Sequence, residues 1–367
     1  MKYSEEYRDK ALVEEICARI AAKEHPPITI MEVCGTHTMS IARFGIKSLL
    51  PPDVKLISGP GCPVCVTDQY DIDSFLALGE VPGMILTSFG DMLRVPGSST
   101  SLERLRAVGA DVRVVYSPMD AVDIARENPD RQVVFFGIGF ETTIPAVALA
   151  ITTAASENVG NFAVYCVHKT IPAALKALLS ADDVKVTGML LPGHVTTIIG
   201  VEAYNFLQSE LKVPCAVTGF EPVDVMLGIE SIVNQVSEGG ARVDNVYRRA
   251  VREFANPRAA ALIADVFTPS DAAWRGIGVI PGSGLRISDK YSAFDAQAKF
   301  THILAKVPPA VKTDCRCGDV LRGVIAPCEC PFFGLACTPT DPIGPCMVSS
   351  EGACAASYSY GGYNDAR

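Results

Sequence analysis

The sequence predicts an α/β protein built from two similar doubly wound parallel-sheet domains and a third, mostly helical or irregular cysteine-rich part. Three observations carry that prediction. Short apolar runs alternate with amphipathic stretches from about residue 28 to residue 240. Most runs are continuous rather than alternating, as expected of strands covered on both faces of a parallel sheet. From Pro308 onward, Pro, Gly and Cys dominate, a composition that builds no core of its own.

Taken in order, Leu12, Ile16 and Ile20 form the apolar stripe of a first helix, on which Cys17 also lies. Strands are expected at 28–33, 54–57, 84–87, 112–115, 133–136, 162–167, 188–191 and 216–218, with helices such as 102–108, 121–127 and 172–179 between them. Gly83-Met84-Ile85-Leu86 is echoed by Gly188-Met189-Leu190-Leu191, and Gly139-Phe140-Glu141 by Gly219-Phe220-Glu221. These echoes suggest two related halves, separated near Asn128-Pro129-Asp130-Arg131. The expected domains are 25–130, 131–240, and a third made of 1–24 with 241–367, helical at 243–254 and 258–266. Cys17, Cys166 and Cys215 read as buried structural thiols.

Composition excludes several classes. The net charge is −9 and no basic run exists, so nucleic acid is not an expected partner. The first ten residues are charged rather than apolar, unlike a signal peptide. No apolar run approaches the ~20 residues of a membrane helix. A cytoplasmic location is expected, where thiols stay reduced. The cysteines then read as ligands, redox groups or core.

In open α/β sheets, ligands bind beyond the carboxyl ends of the strands. The unusual residues of this chain gather there: Cys34-Gly35-Thr36-His37-Thr38, Gly59-Pro60-Gly61-Cys62-Pro63-Val64-Cys65, Phe89-Gly90-Asp91, Gly139-Phe140-Glu141-Thr142-Thr143 and Pro192-Gly193-His194. Cys62 and Cys65 precede a helical stretch at 67–78, whose N-terminus favours a thiolate. Redox or transient metal handling is favoured there over half of a zinc site, which Cys34 and a histidine would complete. A Cys34–His37 hydrolytic pair is disfavoured because no nucleophile-elbow or protease signature surrounds it. Glu141 and Glu221 also suit helix N-termini, where the dipole favours an acid. Glu141, in a glycine-rich loop flanked by hydroxyls, reads as the more functional of the two. His37 and His194 also fit as hydrogen-bonded loop histidines, but a site role is favoured for both.

Seven of the thirteen cysteines fall in the tail: Cys315, Cys317, Cys328, Cys330, Cys337, Cys346 and Cys354. A zinc ribbon prefers Cys-x-x-Cys pairs, and none occurs after residue 300. A 4Fe–4S cluster takes four thiolates at varied spacing. Four ligands and a redox pair leave one cysteine over, read as Cys328. The third part is thus expected to be an iron–sulfur domain.

Together these motifs resemble one family closely, the hydrogenase maturation protein HypD. The segments that carry the resemblance are Glu32-Val-Cys-Gly-Thr-His-Thr-Met39, Gly59-Pro-Gly-Cys-Pro-Val-Cys65, Gly139-Phe-Glu-Thr-Thr143, Pro192-Gly-His194 and Met347-Val-Ser-Ser-Glu-Gly-Ala-Cys-Ala-Ala356. They span nearly the whole chain and are specific in combination. The resemblance implies two α/β domains plus a cluster-bearing third. It implies assembly of the iron–dicyanide–carbonyl fragment of nickel–iron hydrogenases with a small partner, HypC, and cyanide delivered through HypE. Carried over, Cys34 would hold the iron together with a cysteine of HypC. Cys62 and Cys65 would form a redox dithiol, and His37, Asp91, Glu141 and His194 would line the cleft. The tail resembles the cluster environment of ferredoxin:thioredoxin reductase, which implies Cys315, Cys330, Cys337 and Cys354 as ligands of a 4Fe–4S cluster and Cys317 with Cys346 as the redox pair. Cys330 is preferred to Cys328 because Pro331-Phe332-Phe333-Gly334 follows it. The competing reading is an iron–sulfur thiol–disulfide oxidoreductase acting on a protein substrate. It leaves Cys34-Gly35-Thr36-His37 and Pro192-Gly193-His194 without a task. A third reading, a structural zinc scaffold, predicts a colourless protein.

Overall fold

A computed structural model describes residues 5–311 and 313–361. Among the described residues nine strands form two wholly parallel sheets. They are β1 (Ile28–Glu32), β2 (Val54–Ser58), β3 (Met84–Ser88), β4 (Asp111–Val114), β5 (Gln132–Gly137), β6 (Phe162–Cys166), β7 (Gly188–Pro192), β8 (Cys215–Thr218) and β9 (Val243–Asn245). The first sheet has the order β2-β1-β7-β8-β9 and the second β4-β3-β5-β6. In each, the chain enters at an inner strand, steps outward once, then returns to the other side. Both are doubly wound, with switch points at β1/β7 and β3/β5.

Burial explains why the strands were legible. The inner strands β3, β7 and β8 are buried at every residue. Central parallel strands are covered on both faces and so are apolar throughout. The edge strands β4 and β9 are only partly buried.

The partition between sheets departs from the expected contiguous halves. The first sheet takes β1 and β2 together with β7, β8 and β9, and the second is built from the chain between them. The cut expected at 130 therefore falls inside the second sheet, between β4 and β5. The short echoes do not join equivalent strands either. By sheet order β7 corresponds to β5, whereas its echo is β3. Four-residue likenesses among buried strands reflect shared packing demands, which carry no pairing information.

Two further expectations change. The stretch 243–254 is not helical: it opens as β9, paired with β8. There the Asp244 carboxylate accepts hydrogen bonds from Ser231 and Gln235, so tertiary contacts override the local pattern. The helix Pro257–Val266 forms as expected. It leads into an antiparallel hairpin, β10 (Phe267–Trp274) and β11 (Gly278–Ile287), that the helical reading missed. The hairpin bridges Thr67, after β2, and Lys169, after β6. The first helix, Lys10–Ala21, packs on Pro222–Ser237 and buries Val13, Ile16 and Ile20 with β1 and β2. It thus joins the first sheet rather than the tail. The tail itself is irregular, with short helices at Cys317–Leu321 and Ala353–Tyr360; the latter lies against Gly35–Arg43. Cys166 and Cys215 are buried, and Cys17 is half-buried.

Candidate functional site

Cys34 ends the β1 segment and caps the helix Gly35–Arg43, with 1% of its surface exposed. Its backbone N–H donates to Glu32 Oε2 at 3.1 Å, while Thr38 Oγ1 donates to Oε1 of the same carboxylate. Its Sγ lies 3.6 Å from His194 Nδ1, at the start of the helix Gly193–Ile199 after β7. Strands β1 and β7 flank the switch point, so the fold brings a thiol and an imidazole together across it. Burial pushes the Cys34 thiol up, and the nearby Glu351 and Glu32 carboxylates add to this; backbone N–H groups of His37 and Thr36 oppose it.

The loop after β2 locks Cys34 from behind. Gly35 N–H donates to Gly61 O at 2.9 Å. A Cβ on Gly61 would stand 2.1 Å from Cys34 N and 2.4 Å from its Cα. No side chain fits there. Gly61→Ala is expected to cost about 1–3 kcal/mol or more, since backbone rather than a flexible side chain must move. Thermal and denaturant unfolding of the variant measure this directly.

His37 is fully buried, and its Nε2 donates to Gly219 O at 2.9 Å. A carbonyl only accepts, so Nε2 carries the proton and Nδ1, which has no partner, is the free acceptor. The Phe220 ring stands between the two histidines, with its centroid 4.9 Å from His37 and 5.3 Å from His194. Burial lowers both histidines to about 4, so both are neutral near pH 7. Phe220 was not singled out from sequence; the signal available was its place in a strand-end Gly-Phe-Glu loop.

The tail reaches into the strand ends of both sheets. Thr36 Oγ1 donates to Glu351 Oε1 at 2.6 Å, and Ser349 Oγ donates to Asp91 Oδ2 at 3.1 Å. Glu351 is a site residue that sequence reasoning passed over, although it lies within the quoted 347–356 motif. Asp91 thus anchors the tail.

Glu141 sits after β5, buried, where Oε1 accepts the Ile171 N–H at 2.9 Å and Oε2 has no partner. Burial raises its pKa to about 7. The fold therefore holds this proton more tightly than the unfolded chain does. That contribution is full below about 4.5 and is lost as pH rises to about 7. Glutamine does not titrate. Glu141→Gln should gain stability relative to the unsubstituted chain across this window by on the order of 3 kcal/mol, with no further change above it. Urea midpoints at pH 4.5 and pH 8 measure the sign.

Cys62 caps the short helix Pro63–Val66, and its Sγ accepts the Cys65 N–H at 3.3 Å. The longer helix begins after it, at Gln69, with Asp68 as its cap. Beyond Cys65 the thiols form a line. Cys65 interacts with Cys346, Cys346 with Cys317, and Cys317 with Cys315. The line ends in a small pocket lined by Cys315, Cys317, Cys330, Cys337, Cys346 and Cys354, with Phe332 and Phe333. Cys315, Cys337, Cys317 and Cys330 each act electrostatically on Cys354, so all five face a common space. Cys328 is exposed and lies outside it. Among the described residues no three His, Cys, Asp or Glu side chains converge on a single-ion position. The donors are soft thiols spread around an apolar void, which suits a polynuclear sulfur cluster better than one tetrahedral zinc. Among the described residues Cys34 therefore forms no metal-ligand group with Cys62 and Cys65.

Fold and site define a class: doubly wound α/β proteins in which a line of thiols connects a strand-end dithiol to a cysteine-lined cavity, beside a separate Cys–His pair. Among the described residues no helix is long and apolar enough to cross a membrane. Comparison with known proteins narrows the class. The family HypD, described as "Hydrogenase formation hypA family", matches residues 10–361. The chain is 45% identical to hydrogenase maturation factor HypD of Rhodobacter capsulatus over 372 residues, covering 99% of each. It is 44% identical to that of Escherichia coli strain K12 over 370 residues, covering 98% of each. The chain belongs to the HypD family of hydrogenase maturation factors.

Proposed function

We propose that this chain is the scaffold and redox protein on which the iron–dicyanide–carbonyl fragment of nickel–iron hydrogenases is assembled. The observation that carries the reading is the Cys34–His194 pair at the first switch point, 3.6 Å apart, with the thiol buried and the imidazole half-buried. Iron is cargo here. Cys34 would hold it together with a cysteine of a HypC-like partner, and a HypE-like partner would supply cyanide. Binding requires the thiol to lose its proton. His194, neutral and in contact, is the nearest acceptor. Burial makes it a weak base until a cation arrives to stabilise the thiolate, so proton release is tied to iron binding. Glu32 holds the Cys34 backbone and His37 braces the neighbouring loop through Gly219. Asp91 would complete the cleft by tying the tail to it, and Glu141 would line it from the second sheet.

Cys315, Cys330, Cys337 and Cys354 would hold a 4Fe–4S cluster, which supplies electrons singly. Cys317 and Cys346 line the same pocket and would be the redox pair; the interaction of Cys346 with Cys65 supports an exchange of disulfide with Cys62 and Cys65. The oxidoreductase reading explains this line equally well but leaves the Cys34–His194 pair idle. Anaerobic purification with its HypC-like partner, followed by infrared, iron and sulfide analysis, separates the two. Cyanide and carbonyl stretching bands are expected. Their absence from a cluster-loaded complex would leave only the oxidoreductase.

A further inference from the structure

The open edge of the first sheet lies in a recess that none of the roles above uses. Strand β2 pairs with β1 alone. Two bonds flanking the pair fix which backbone groups are engaged. Ile28 N–H donates to Asp53 O and Gly59 N–H to Glu32 O, both at 2.8 Å. In a parallel ladder alternate residues bond to the neighbour, so Asp53, Lys55, Ile57 and Gly59 face β1. Leu56 and Ser58 turn their N–H and C=O groups the other way. Among the described residues no backbone group pairs with them there. Leu56 is nonetheless only 5% exposed, and backbone groups so placed call for a partner.

This edge forms one wall of a groove of about 610 Å³. Ile41 and Ala42 of the helix Gly35–Arg43 line it too, and the tail faces them with Val324, Ala353 and Tyr360. Val324 and Tyr360 are 43% and 47% exposed, and apolar surface gathered at a recess marks contact with another molecule. Four charged side chains line the groove: Glu32, Lys47, Lys55 and Glu329. Glu32 accepts from Cys34 and Thr38, and Glu329 Oε2 accepts the Ala326 N–H. Among the described residues neither lysine ammonium makes a hydrogen bond or ion pair. The carboxylates are engaged and the ammonium groups are not, which favours an acidic occupant.

We propose that this groove takes one extended segment of a partner protein, added as a strand to β2, with alternate apolar side chains and at least one carboxylate. The outward groups of Leu56 and Ser58 recur every second residue, about 6.6 Å apart. A peptide backbone matches a row of that period, and a small molecule does not. Strand β2 has five residues, so a segment of about that length covers the edge. Every second side chain of the added strand turns to the apolar wall, and the carboxylate pairs with Lys47 or Lys55. A second copy of this chain is the wrong occupant, because the tail closes on β2. A Cβ on Gly323 would stand 2.7 Å from Ile57 Cδ1 and 2.8 Å from Met31 Cε, which leaves room for one strand and not for the edge of a whole sheet.

The probes are peptides selected from a random octapeptide library on the anaerobically purified full chain. Those enriched should alternate apolar residues and carry Asp or Glu. Once bound, they should slow hydrogen exchange at the Leu56 and Ser58 amides. Methylating the peptide nitrogens that pair with β2 should weaken binding about tenfold, and methylating the intervening ones should not. Lys47→Glu with Lys55→Glu should weaken binding about tenfold, and peptides with lysine in place of the acid should recover it. Binding that leaves the Leu56 and Ser58 amides unprotected, or that tolerates methylation at every nitrogen, would overturn strand addition. Failure of the lysine peptides to recover binding would overturn the acidic occupant. Protection of those amides in the full chain alone would overturn the inference as well: the groove is then filled from within, or by a second copy if protection rises with concentration. A library that yields no binder blocked by Val324→Trp would overturn the site itself.

Discussion

Cys34→Ala is expected to abolish iron–cyanide accumulation and hydrogenase maturation while leaving the iron and sulfide of the tail cluster intact. The argument is geometric. Cys34 stands at the first switch point beside His194, whereas the cavity thiols are reached through a different line that starts at Cys62 and Cys65. Alanine removes the soft donor and adds no bulk. Its backbone N–H still reaches Glu32, so the loop should persist. Infrared spectra of the complex and iron and sulfide analysis read the two centres separately. Normal cyanide bands in this variant would sink the assignment of the iron to Cys34. His194→Gln gives a graded companion: a residue that assists a ligand rather than supplying it costs about 10–100-fold in metal affinity.

Cys346→Ser should cut the chain at its middle. Cys346 interacts with Cys65 on one side and Cys317 on the other, and it is almost wholly buried. Serine conserves volume but forms no disulfide. A disulfide placed on Cys62 and Cys65 should then persist, and electrons from the cavity should no longer reach it. Time-resolved alkylation checks the transfer, and sulfide analysis checks the cluster. The cluster should survive, because Cys346 is proposed as a redox partner and not as a ligand. Loss of sulfide in this variant would move Cys346 into the ligand set and break the proposed split.

Much of the fold was legible because parallel strands advertise themselves. A strand buried on both faces is largely apolar, as β7 is throughout and β3 is from Met84 to Leu86, so eight of the nine parallel strands were readable without partners. β9 was not, because an edge strand of three half-buried residues has no such signature. The hairpin was missed for a related reason. Its residues alternate between exposed and buried only loosely, and its order comes from docking on Thr67 and Lys169.

The candidate site divides in the same way. Residue types and their places after strands are local facts, so Cys34, His37, Cys62, Cys65 and His194 stood out in the sequence. Their strand-end placement also follows from the chain order, since each motif directly succeeds an apolar run. What the sequence could not decide was which motifs meet. That depends on sheet order, and strands β1 and β7 become neighbours although the whole second sheet is threaded between them. The same holds for Glu351 on Thr36 and for Phe220 against two histidines. Sequence by itself determined the parts list, because burial and chemistry act residue by residue. Tertiary structure alone decided the pairings, because long-range packing free energy depends on contacts that no local pattern encodes.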